Sequence, residues 1–251
     1  MAKNKVFIEK RNYHRVIVTD LLPYETPLIF SNEGYYRFLN GDYNLENYLH
    51  ELYESFVTFQ EEYGNPDNRV AIYSLKNDIL DIPRVNDNGV VYTENERNRM
   101  LHDKLLDGSL LDKNGYVVVP FKTGLSRLSP ITFNHKIKYL EAEIIGSNLG
   151  DKLGRVYIKQ KGTSAVRPSD GNRLYYLFPE RTAVINTIFN GEKWSGAVDI
   201  FKNDKFRDRP FINTNYELVI NTMDEFVNKD IKLSDINDIK VYIYYTDFTS
   251  Y

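Results

Sequence analysis

Ser129–Gly146 (SPITFNHKIKYLEAEIIG) constrains the chain most: a proline-led turn runs into an alternating stretch that fits a β-strand and little else. Leu140, Ala142 and Ile144 alternate with charged Glu141 and Glu143, so one face goes to a core and the other to solvent. Beyond it the same period recurs. Val156, Ile158 and Gln160 oppose Arg155, Tyr157 and Lys159, and Ile239, Val241, Ile243 and Tyr245 alternate near the end. Strand signals also cover 173–178, 182–189 and 211–221, joined by polar loops. The expected class is mainly β: a jelly-roll-like β-sandwich over 126–251, preceded by a smaller α+β region over 1–125.

In that first region, Val6–Ile8, Val16–Asp20 and Leu28–Phe30 read as short strands around a stiff connector between Pro23 and Pro27. Asn44 can cap a helix whose stripe is Leu45, Leu49, Leu52, Phe56, Phe59 and Tyr63, ending at Gly64 and Pro66. Arg69–Leu75 alternates as a strand. Thr93-x-x-Glu96 is a capping box before a second helix carrying Met100, Leu101, Leu105 and Leu106 and stopping at Gly108. Asp112–Gly115 turns into a strand over 116–121. A change of pattern near residue 125, with no linker, sets the expected boundary.

Composition narrows function by exclusion. The 251 residues carry a formal charge of −3, which gives no electrostatic case for nucleic acid or an anionic membrane face. No run of about 18 apolar residues suggests a membrane-spanning helix. No Sec-type signal follows the first residues, so the expectation is cytoplasmic placement or export by another route. Without cysteine, disulfides, zinc–thiolate sites and cysteine nucleophiles are out.

Motifs for catalysis fail one by one. His14, His50, His102 and His135 are isolated, and neither a nucleophile elbow nor an S-x-x-K pair occurs. His50 and His102 read as solvated helix residues, and His135 as a structural hydrogen-bonder in the turn before the key strand. Gly146–Lys152 lacks phosphate-loop spacing, and the loop aspartates read as turn formers rather than calcium ligands or a glycosidase pair. No catalytic residue, cofactor or metal is expected. The candidate contact surface is the loop 190–210, where Trp194, Phe201, Phe206, Arg207 and Arg209 combine aromatic and guanidinium groups typical of binding hot spots.

The run from Ser129-Pro130 through Asn134–Ile137, the Gly146–Gly154 loop and the closing 230–246 stretch (DIKLSDINDIKVYIYYT) together resemble the C-terminal β-sandwich of Tc-toxin A-subunit-like proteins. That resemblance covers residues 129–246 and implies a non-catalytic module for attachment or assembly. Arg15–Phe38 is similar to the opening of some bacterial defence-associated reverse transcriptases. The Y-x-D-D box of such enzymes is missing, since Tyr245-Thr246-Asp247-Phe248 offers one carboxylate where metal-dependent nucleotidyl transfer needs two. The expectation is a non-enzymatic binding or assembly protein with a protein partner or a second copy of itself, as in a toxin- or phage-like particle. A glycan-binding or glycan-cleaving sandwich and an accessory factor of an anti-phage system are the alternatives.

Overall fold

A computed structural model describes residues 45–147, 155–168, 173–189, 205–220 and 232–249. The strands expected before residue 31, and the histidine at 14, lie outside them. Helix α1 (Leu45–Tyr63) ends as its sequence dictates: Gly64 takes φ +71° and its N–H reaches the Gln60 carbonyl at 2.8 Å. Its stripe departs from expectation, because Phe56 stays exposed, while Tyr63 meets Phe133 edge-on at 5.2 Å. The side chains of Leu45, Leu49, Leu52 and Phe59 are outside those described.

Helix α2 (Glu94–Leu106) carries the full capping box. Glu96 N–H donates to the Thr93 hydroxyl at 3.3 Å, and Thr93 N–H donates to the Glu96 carboxylate at 2.7 Å. Leu101 and Leu105 are completely buried, whereas Leu106 points to solvent. Thr93→Ala removes the acceptor for an orphan N–H and is expected to cost about 1 kcal/mol, read as a lower urea midpoint at unchanged slope.

Among the described residues the strands are, in chain order, β1 (Asp67–Ser74), β2 (Val117–Lys122), β3 (Thr132–Gly146), β4 (Arg155–Gln160), β5 (Thr163–Val166), β6 (Leu174–Leu177), β7 (Arg181–Phe189), β8 (Asn215–Ile220) and β9 (Ile236–Thr249). Seven form one sheet in the order β1-β9-β3-β7-β4-β8-β2, and β5 with β6 forms a separate ribbon. The backbone of the fold is the long antiparallel pair β3–β9, running from Thr132 opposite Thr249 to Gly146 opposite Ile236. Strand β7 joins two halves. It runs parallel to β3 over Ala142–Ile144 and antiparallel to β4 over Arg155–Gln160. Among the described residues, that parallel contact is the departure from all-antiparallel jelly-roll pairing.

The sheet folds over so that its outermost strands meet: Tyr73 on β1 lies 6.0 Å from Phe121 on β2, which stacks on Tyr216 at 5.2 Å. Arg127 stitches this seam, donating to the Ile72 carbonyl at 3.2 Å and to Asp78, with its guanidinium 5.2 Å over the Tyr73 ring. Between the layers lies one core drawn from Leu140, Ala142 and Ile144 of β3, Val156 and Ile158 of β4, and Val241 and Ile243 of β9. Leu101 and Leu105 of α2 and Val117 and Val119 of β2 belong to it too. Strands from before residue 125 are thus both edges of the sheet, and the two sides of that position share one core.

Asn134 sits at φ +54° where the β3–β9 register shifts between Phe133 and Lys136. Asparagine tolerates the left-handed region, so it makes the bulge. The consequence is that His135 lies within β3, not in a turn before it, and is fully buried. Gly146 closes the strand because a Cβ there would come 1.9 Å from the Asp235 carbonyl oxygen.

Candidate interaction surface

Of the loop residues singled out by sequence, Trp194 and Phe201 lie outside the described residues. Phe206 and Arg209 are completely buried, and Arg207 is exposed. Arg209 crosses the interior to donate to Gln160 Oε1 at 2.9 Å and to the Pro179 carbonyl at 3.0 Å, with Phe178 beneath it at 5.3 Å. Its main chain is fixed as well, since its carbonyl accepts from Ile137 N–H at 2.9 Å. Phe206 and Arg209 therefore hold the sandwich together instead of facing a partner.

The groups with the most chemical interest are also inside. The Thr132 hydroxyl lies 2.9 Å from His135 Nε2, and Asp247 Oδ2 lies 3.9 Å from the same nitrogen. A nucleophile relay needs hydroxyl and carboxylate on opposite ring nitrogens. Here both face Nε2, and 3.9 Å is too long for a hydrogen bond. Thr132 donates its proton to the Ser129 carbonyl at 2.9 Å, so it accepts from His135 Nε2–H and leaves Nδ1 bare. Burial drives the imidazole down to about 3, helped by the nearby Arg167 and Arg69 charges. Burial pushes Asp247 up, against the Arg69 Nε–H bond at 2.8 Å to its other oxygen. The cluster is closed to substrate and reads as structural.

Of the other described histidines, His50 is exposed on α1 as expected, whereas His102, expected to be solvated, is half-buried and donates to the Ile236 carbonyl at 2.8 Å, tying α2 to β9. Among the described residues, no three His, Asp or Glu side chains are grouped to hold a metal ion, and no helix is long and apolar enough to cross a membrane. An open polar cleft of about 340 Å³ lies between α2 and the start of β9. Lys76 there bonds Glu94 and, at 3.0 Å, Asn98. Asp238 is taken up by Ser74 at 2.7 Å and the Lys76 N–H at 2.9 Å. Its charges knit the sheet edge to the helix.

What the fold presents outward is the far side of β1–β9–β3. Register puts Val70 beside Tyr244 and Ile72 beside Tyr242, and across β9 it puts Tyr139 beside Tyr244. Tyr139 and Tyr244 stack at 4.3 Å, and Tyr242 follows at 6.5 Å. Val70 and Ile72 are 44% and 45% exposed. The Tyr242 hydroxyl donates to Glu143 at 2.5 Å, and burial followed by this carboxylate pushes the phenol up. Burial and Glu141 do the same to Tyr244. The phenols stay protonated as donors. A shallow groove of about 310 Å³ runs along this side past Arg69 and Lys138.

This surface was missed from sequence because Val241, Ile243 and Tyr245 announce the core, and the signal of their outward neighbours Tyr242 and Tyr244 is the same alternation read from the other side.

A scan against protein-family models finds no match, and neither does a search of curated proteins. Among solved structures, the chain is similar to a chain in the cryo-EM structure of Yersinia pseudotuberculosis TcaA-TcaB, at 12% identity and a TM-score of 0.46. That weak likeness covers 82% of this chain and 11% of the other, so the chain spans about a tenth of that protein's length.

Proposed function

We propose that this chain is a non-catalytic assembly protein that binds a protein partner through the outer face of β1–β9–β3. The observation that supports this is the strip of Val70, Ile72, Tyr139, Tyr242 and Tyr244, apolar and aromatic at its centre. Lys138 and Glu141 lie on the same side, as does Lys240, which pairs at 3.8 Å with the buried Glu143. An apolar, aromatic centre with a mixed-charge rim is how protein interfaces are built. Pre-stacked tyrosines lose little rotamer freedom on binding. A sugar platform needs an open ring face, whereas Tyr139 and Tyr244 are stacked on each other. Mixed signs argue against a nucleic-acid face. The finer reading, a subunit of a toxin-like particle, rests on the sequence resemblance over 129–246.

The test is co-purification of the chain with the products of its flanking genes. Replacing Val70 and Ile72 together by lysine charges the β1 side of the strip without touching the core, and an edge strand tolerates lysine. Loss of the co-purified partner, at unchanged circular dichroism, is the expected result. Undiminished binding by the double variant, or turnover of a substrate by the purified chain, would sink the reading.

A further inference from the structure

We infer that the polar cleft between α2 and the start of β9 is a binding site for a carboxylate, made by Arg84 together with the buried cations Lys76 and Arg97. The site lies apart from the tyrosine face and does not depend on it. Its charges do not balance. Three cations, Lys76, Arg84 and Arg97, line the cleft against two carboxylates, Glu94 and Asp238, on a chain whose formal charge is −3. Asp238 is already saturated, because the Ser74 hydroxyl and the Lys76 and Ile239 N–H groups donate to its two oxygens. Lys76 and Arg97 are only 5% and 8% exposed, so salt screens their charges poorly.

The donors in the lining also outnumber the acceptors. Lys76 uses two of its three ammonium N–H groups, on Glu94 and on Asn98 Oδ1 at 3.0 Å. Arg97 uses four of its five, on Asn77 Oδ1 and, each at 3.3 Å, on Glu94 and the Pro83 and Ile82 carbonyls. Each cation thus keeps one N–H with no acceptor among the described residues. Asn98 accepts through its oxygen, which leaves its amide N–H groups as donors. The Arg84 carbonyl is fixed by Tyr92 N–H at 2.9 Å, yet its exposed guanidinium donates to no described group. The exposed carboxylate here is Glu94, with one oxygen on Lys76 and the other on Arg97. The Lys76 hydrogen bond holds it below the usual carboxyl range, so it is ionised. That two-oxygen grip shows that the spacing of the buried cations suits a carboxylate. A phosphate dianion would bring twice the unbalanced charge toward Glu94 and Asp238, whereas one carboxylate matches it. Arg84 can hold such a group through two parallel N–H bonds. A free acid and an acidic side chain of a protein carry the same chemistry.

The test is an NMR titration of the isotope-labelled chain in which acetate replaces chloride at constant ionic strength, so that screening stays fixed. Saturable shifts are expected at the side-chain amides of Asn98 and Asn237, both in the lining. Arg84→Ala should weaken binding about tenfold, the loss of hydrogen bonds to a charged group. Arg99→Ala, equally exposed on α2 but outside the lining, should leave it unchanged. Glu94→Gln removes the resident negative charge and should tighten binding several-fold. If that variant does not fold, the two arginine variants decide alone. A second titration uses a short blocked peptide with one glutamate. Tighter binding than acetate assigns the site to an acidic side chain of a protein, and equal binding assigns it to a free acid. Absence of a saturable shift with either probe overturns the site. So does equal weakening by Arg84→Ala and Arg99→Ala, or weaker binding by a folded Glu94→Gln chain. Failure of the tyrosine face to bind a partner leaves these titrations unaffected.

Discussion

Arg209→Ala is expected to destabilise the protein by about 3 kcal/mol, from buried acceptors left without their donor and the void left by a large buried side chain. The guanidinium lies at 0% exposure and satisfies Gln160 on β4 and the Pro179 carbonyl before β7 at the same time. Gln160 is part of a wider set, donating to the Pro210 carbonyl and the Tyr216 hydroxyl, both at 3.2 Å. Truncation leaves acceptors buried without their donor and opens a void over the Phe178 ring. Arg209→Met fills that void, so it should recover part of the loss. Arg207→Ala, two residues away but exposed, should stay within about 0.5 kcal/mol of the parent. Urea unfolding of the three variants separates the cases. If Arg209 were a contact residue, as its sequence neighbourhood suggests, Arg209→Ala would keep its midpoint and lose a partner instead.

The contrast between positions 207 and 209 shows what a sequence conveys here. Local devices were legible: the capping box at Thr93, the Gly64 stop and the alternation in β3 and β9 each depend on a few neighbouring residues. Arg209 depends on residues far along the chain. Its carbonyl is claimed by Ile137 and its side chain by Gln160, so a segment polar enough to suggest surface is drawn inside. Residues on both sides of position 125 share one core for the same reason. Arg69 on β1 bonds Asp247 on β9 across 178 positions, and no local pattern announces that pairing. The contact surface moved accordingly. Sequence finds aromatic–cationic clusters, but only register puts Val70, Tyr244 and Tyr139 side by side.

His135 should make the protein acid-labile, and His135→Gln should relieve this. The folded state holds the imidazole neutral, with its proton on Nε2 facing Thr132, in a site where burial depresses its affinity for a second proton. A depressed folded-state value means that stability is fully present above the ordinary imidazole range and is lost as pH falls toward the folded value. With about 3 in the folded chain and about 6.5 unfolded, the loss by about pH 4 is on the order of 3 kcal/mol. Asp247 works in the opposite sense. Its value is raised by burial, so its protonation on acidification favours the folded state and offsets part of the loss. The groups around the ring are Thr132 on its own strand, Asp247 and Tyr245 on β9, Arg69 on β1 and Arg167 after β5. A glutamine amide can still donate to the Thr132 hydroxyl but cannot take up the proton. Its stability relative to the parent should therefore rise steadily as urea midpoints are measured from neutral pH to about pH 4. Asp247→Asn, lacking the compensating carboxyl, should steepen the parent's acid loss. Parallel pH profiles for His135→Gln and the parent would show that the buried imidazole does not control acid stability.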